Sequence, residues 1–166
     1  MQIGLLGLGT VGTGVVELIE KNNDIIAKRI EDHINIKKVL VKNLNKQRSP
    51  LVEGKITDKF KDIIDDEDIS VVVELIGGEE PALTYIREAL NRGKHVVTAN
   101  KEVIAKHGKE LLELSAQKDV NLLFEASVGG GIPIIRPMKQ CLSANEITKI
   151  MGILNGTTNY ILSQMT

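Results

Sequence analysis

The chain turns from strand to helix across Gly7-Leu8-Gly9-Thr10-Val11-Gly12, with no residues between the two patterns. A short apolar run fills residues 1–6, and Val11, Val15, Val16, Leu18 and Ile19 follow at helical spacing. Few folds accept such a junction. Gly7 permits the tight turn, Gly9 lets a phosphate approach the backbone, and Gly12 lets the helix lie close on the strand. The first amides of the helix and the positive end of its dipole then face an anion. In this strand–helix setting GxGxxG reads as a dinucleotide fingerprint. A Gly-rich loop at a buried strand end, without a ligand, is the bland alternative.

The rest of the chain repeats the alternation. Residues 3–6, 36–41, 69–76, 95–99 and 121–126 read as strands, and 69–76 (ISVVVELI) as one buried on both faces. Helices are expected from Val11 to about Glu20, from Pro81 to Asn91 with Gly93 as its cap, and over 103–117. One or two helical turns fit 60–64. Residues 22–35 are polar and fit helix or loop; residues 43–57, rich in Lys, Asn, Pro and Gly, read as a surface loop. This pattern predicts an α/β, Rossmann-type, doubly wound parallel sheet with a ligand across the carboxyl ends of its strands. The rhythm changes after Ser127. A strand over 147–154 and an amphipathic helix over 157–165, capped by Thr157 or Thr158, are expected. The division is a dinucleotide-binding domain over 1–129 and the beginning of a second, incomplete α+β domain over 130–166.

Composition excludes several classes. A formal charge of −1 and 2% aromatic residues give neither the field nor the stacking surface of a nucleic-acid binder. No apolar run reaches the ~20 residues of a membrane span, and residues 1–6 lack signal-peptide flanks. The lone Cys141 suits a reducing cytoplasm and reads as a small apolar filler near a helix end. His33, His95 and His107 have no metal-ligand spacing. The acids at 62 and 65–68 read as a solvated turn.

The end of the second strand bears on the choice of nucleotide. Lys42 stands where an acid would hold a ribose 2′-hydroxyl, with Lys46 and Arg48 nearby. A cation there suits a 2′-phosphate, so NADP is expected over NAD; ordinary loop charges would look the same. Thr98-Ala99-Asn100-Lys101 ends another strand at the ligand edge. Lys101 could contact cofactor or substrate or move a proton, or it could simply reach solvent from a first helical turn. Glu125 and the Gly129-Gly130-Gly131 run offer oxygens to a hard cation, or form a plain hinge. Gly156-Thr157-Thr158 lead into the last helix, where small polar residues could serve a site or cap the helix.

Taken in order, GLGTVG, TANKEVIA, FEASVGGGIPII and GILNGTTNYIL closely resemble the amino-terminal portion of homoserine dehydrogenase, over all 166 residues. The first motif is shared by many dehydrogenases; the other three in series are specific. The resemblance is to the monofunctional form. It implies NAD(P)H-dependent interconversion of L-aspartate 4-semialdehyde and L-homoserine, on the route to threonine, methionine and isoleucine, in a homodimer. It implies Thr10 and Val11 at the pyrophosphate, Lys101 as a functional lysine, and Gly156 and Thr157 near the nicotinamide. It also implies a monovalent cation, usually sodium, at Glu125 and the carbonyls of Val128, Gly130 and Ile132. The family's second catalytic lysine and substrate-binding acids would follow Thr166, so these residues alone are expected to bind cofactor and turn over slowly or not at all. The alternatives are a non-catalytic nucleotide-binding module and a related amino-acid or semialdehyde dehydrogenase.

Overall fold

A computed structural model describes residues 1–152 and 156–165. β1 (Gln2–Leu6) leads into α1 (Thr10–Ile30), β2 (Asn35–Leu40), β3 (Ile56–Thr57) and the short α2 (Lys61–Ile64). Then come β4 (Ile69–Glu74), α3 (Ala82–Asn91), β5 (His95–Thr98), α4 (Lys101–Gln117), β6 (Leu122–Leu123) and, later, α5 (Gly156–Met165). The six strands form one parallel sheet in the order β3-β2-β1-β4-β5-β6. The chain moves one way from β1 to β2 and the other way from β4 to β6, so right-handed crossovers put helices on opposite faces. Ile3, Leu5, Val16, Ile36 and Val39 bury one face under α1. Leu6, Ile63, Val72, Ile86, Leu90, Val96, Val103 and Leu111 bury the other under α2, α3 and α4. The doubly wound architecture expected from the alternation is therefore the one present, and its reversal point lies between β1 and β4.

Several boundaries move. α1 continues ten residues past Glu20, because Ile26 stays half-buried and Lys28 and Arg29 complement its dipole in the last turn; Glu31, at φ 57°, ends it. The expected surface loop 43–57 contains a 3-10 turn at Pro50–Val52 and the two-residue β3, paired with Val39 and Leu40. β4 is buried on the α3 face, but Val71 and Val73 are only half-buried on the other. The strand at 121–126 shrinks to Leu122–Leu123, and Glu125–Ser127 forms a 3-10 turn. Residues 147–152 are not a strand, since no neighbouring strand pairs with them; 153–155 lie outside the described residues. α5 begins at Gly156, so Thr157 and Thr158 stand inside its first turn rather than at its cap. Cys141 is exposed, ending a π-helical turn (Pro137–Cys141), and fills no core.

At the amino edge of the sheet, Lys94 is buried and donates from Nζ to the carbonyls of Asp66 and Ile69, each at 2.7 Å. Burial pushes its ammonium pKa down. The acidic run is tied down here: Asp66 and Asp68 both pair with Lys37, and Asp65 pairs with Arg92.

Candidate functional site

The carboxyl edge of the sheet gathers the fingerprint. Gly7 sits at φ 99°, and a Cβ there would lie 2.9 Å from the Leu75 carbonyl oxygen. A Cβ on Gly12 would run into the Gly7 carbonyl. Both glycines are thus required by the protein's own packing. Gly9 is different: nothing lies within 4 Å of where its Cβ would be, and its φ is −84°. The protein itself gives no reason for a glycine there, whereas close approach of a ligand to the main chain does. No side chain caps α1 at Gly9, so the first amides of α1 and its dipole are open to an anion.

Two open clefts flank this bend. One, ≈ 810 Å³, runs from Gly7-Leu8-Gly9 past Lys42, Lys46 and Arg48 to Asp58 and to Gly77, Glu80 and Tyr85. The other, ≈ 850 Å³, lies between the start of α1 (Thr10, Thr13, Glu17) and residues 46–49. Gly7, Gly9 and Lys42 therefore meet in one cleft and Thr10 lines its neighbour. Val11 is exposed one residue further on, and Gly12 is buried under the turn.

Arg48 folds over the bend. Its Nη1 donates to the Leu8 carbonyl at 3.3 Å and Nη2 to the Asn43 carbonyl at 3.0 Å. Its Nε is buried without a partner, and among the described residues it pairs with no carboxylate. A half-buried guanidinium held by two carbonyls, with donor capacity to spare and no carboxylate among the described residues, has the chemistry to receive a phosphate oxygen. Sequence reading named Arg48 only as a neighbour of Lys42. It missed Asp58, one residue past the unrecognised β3, and Glu80 and Tyr85, which the α3 crossover brings in.

On the other side of the reversal, Thr98 is fully buried. Its hydroxyl donates to Glu74 Oε2 at 2.6 Å and accepts from the Asn100 amide at 3.0 Å, so any contact it makes with a cofactor runs through the main chain. Asn100 caps α4 by accepting from the Val103 amide. Lys101 follows as the first residue of α4, exposed and without an ion pair among the described residues. A cation at a helix N-terminus opposes the dipole, so stability does not explain it. Lys101 lines neither cleft described above, although it roots on the same edge of the sheet.

The candidate cation loop is curled by Gly129 and Gly130 at φ 73° and 61°. The Glu125 carboxylate is committed. It accepts from the amides of Ile134 (2.6 Å), Ile135 (2.8 Å) and Arg136 (2.9 Å), and these amides, Arg136 foremost, hold its pKa below the ordinary 4.5. The Glu125 carbonyl accepts from the Val128 amide, while those of Val128, Gly130 and Ile132 receive no backbone hydrogen bond among the described residues. Among the described residues no cluster of His, Cys, Asp or Glu could hold a metal by side chains. Gly156 opens α5, and the Thr157 side chain lies outside the described residues. No described helix is long and apolar enough to cross a membrane.

Comparison with known proteins agrees with this geometry. Residues 7–125 match the family profile described as homoserine dehydrogenase, NAD binding domain, and residues 133–166 match the profile described as homoserine dehydrogenase. The homoserine dehydrogenase of Bacillus subtilis is 49% identical over 166 residues, covering 99% of this chain and 38% of the relative. That of Synechocystis sp. is 50% identical over 169 residues, covering 100% of this chain and 38% of the relative. The crystal structure of a homoserine dehydrogenase from Thiobacillus denitrificans superposes with a TM-score of 0.92 at 45% identity, over 99% of this chain and 38% of that one. The chain thus spans about 38% of the length of these relatives. With the fingerprint, the sheet order and both profile matches in register, the chain belongs to the homoserine dehydrogenase family and comprises its NAD-binding domain.

Proposed function

We propose that this chain provides the nucleotide-binding portion of an oxidoreductase that interconverts L-aspartate 4-semialdehyde and L-homoserine, in biosynthesis of threonine, methionine and isoleucine. Gly9 carries the reading: a glycine that neither backbone conformation nor packing demands, at the uncapped start of α1. The amides there bind the pyrophosphate. NADP is favoured over NAD, because Arg48, Lys42 and Lys46 border the cleft on the β2 side, where the adenosine ribose would lie, and Arg48 has no anionic partner among the described residues. Asp58 in the same cleft favours a second reading, NAD, through its capacity to accept from ribose hydroxyls.

A reduced nicotinamide bound here would supply a hydride for the aldehyde carbon. Lys101, at a position that costs helix stability, would hydrogen-bond the substrate oxygen and pass it the proton that completes the alcohol. The open carbonyls of Val128, Gly130 and Ile132 would hold a monovalent cation, sodium, with the Glu125 carboxylate bracing residues 134–136. A cation held there would fix the joint between a nucleotide domain over 1–129 and the segment that follows, whose family match begins at residue 133. Gly156 and Thr157 approach the nicotinamide, and the working enzyme is a homodimer.

Titration with NADPH and NADH tests the reading. Binding of NADPH at least tenfold tighter than NADH is expected, falling to near equality in Arg48→Met. Tighter binding of NADH selects the Asp58 reading, and no binding of either defeats the proposal.

A further inference from the structure

Glu74 is fully buried at the end of β4, two residues past the buried Val72, and among the described residues it makes no ion pair. An apolar side chain would fill that space without the cost of desolvating a carboxyl group. Its hydrogen bonds indicate what it is for. Oε1 accepts the Ile76 amide at 2.7 Å, in the loop that leaves β4. Oε2 accepts the Thr98 hydroxyl at 2.6 Å, at the register-matched end of β5. Thr98 Oγ1 in turn accepts the Asn100 amide, and Asn100 donates from Nδ2 to the Gly78 carbonyl at 2.7 Å while its Oδ1 caps α4. The chain of bonds closes on itself: Glu74, Thr98, Asn100, Gly78 and back along the Leu75–Gly78 turn. It locks the loop bearing Ile76 and Gly77, which line the cleft, to the residue that precedes Lys101.

We infer that Glu74 is a positioning residue for the nicotinamide end of the site, acting through Thr98 and Asn100 to hold the β4–α3 loop and the root of Lys101 at a fixed spacing. The inference rests on the nucleotide reading above. The adenosine half lies toward β2, so the nicotinamide half falls toward β4 and β5, where this network sits. Both carboxylate oxygens act as acceptors. Glutamine offers one acceptor and a donor: with its oxygen on the Ile76 amide, its amino group meets the Thr98 hydroxyl, whose own buried proton then loses the acceptor it has in Glu74. The network therefore discriminates between Glu and its closest neutral analogue.

The test compares NADPH with 2′-phospho-ADP-ribose, which lacks only the nicotinamide. Glu74→Gln and Thr98→Val should each weaken NADPH binding about tenfold and leave 2′-phospho-ADP-ribose within about twofold. Thr98→Ser should restore both to the unsubstituted values, and the double variant Glu74→Gln/Thr98→Val should be no weaker than either single one, because both break the same link. A parallel loss for both ligands would mean a merely structural role and overturn the inference, as would unchanged NADPH binding. Failure of the unsubstituted chain to bind either ligand would overturn the nucleotide reading itself, and the inference with it.

Discussion

The stretch from β1 to β6 and the stretch after it obey different physics. Up to Leu122 the chain buries twenty-two apolar side chains on two faces of a parallel sheet. After Leu122 no described residue is buried; Ile132, Ile150, Met151 and Tyr160 are each at least two-thirds exposed. Order in the second stretch is local: a 3-10 turn, a π-helical turn, a carboxylate bracing three amides, and α5. In the first, each element is fixed by neighbours remote in sequence, so substitutions there should be felt globally. In the second they should be felt only nearby.

The largest effect should separate the regions outright. Ile86→Ala, at a fully buried position under the sheet, should cost about 2–5 kcal/mol in urea unfolding, whereas Ile150→Ala should change stability by less than about 0.5 kcal/mol. An equal loss at both sites would erase the distinction. A second pair sharpens it within the packed region. Gly12→Ala must displace the Gly7 carbonyl and should cost about 1–3 kcal/mol. Gly9→Ala should leave the denaturation midpoint nearly unchanged and weaken NADPH binding, as read by parallel unfolding and titration curves. The smallest effect lies in the second stretch. The Glu125 pKa is lowered in the folded chain, so its bracing is complete above the ordinary carboxylate value of 4.5 and is lost as pH falls through the lowered one. Protection of the Ile134, Ile135 and Arg136 amides against exchange, relative to the intrinsic rate at each pH, should fall across that interval while the Ile86 amide stays protected; Glu125→Gln should remove the pH dependence of that protection.

The same contrast explains what could be read from residues alone. The alternation of apolar runs and helical spacing carried the sheet, its winding and the place of Gly7, Gly9, Gly12 and Lys42, because each signal is local. α5 was legible because a helix makes its own hydrogen bonds. A strand needs a partner, and sequence alone does not announce one: Ile56 and Thr57 gain theirs from Val39 and Leu40, and residues 147–152 gain none. The start of the basic cluster could be seen at Lys42, but Arg48 became the focus only where its guanidinium lies over Leu8. Thr98 stood in a recognisable motif, yet the pleat turned its hydroxyl inward to Glu74. One signal was present and passed over: Glu74 is the only acid within the ISVVVELI run, and a charge inside a buried strand needs a reason.

Lys94 gives the sheet a built-in clock. Its amine is enclosed at the edge opposite the clefts and engaged by two carbonyls. Acylating reagents would label surface amines at once and reach this one only when β4 and β5 part. The rate at which that single peptide gains mass would then time the opening of the whole domain, with no probe introduced and no ligand bound.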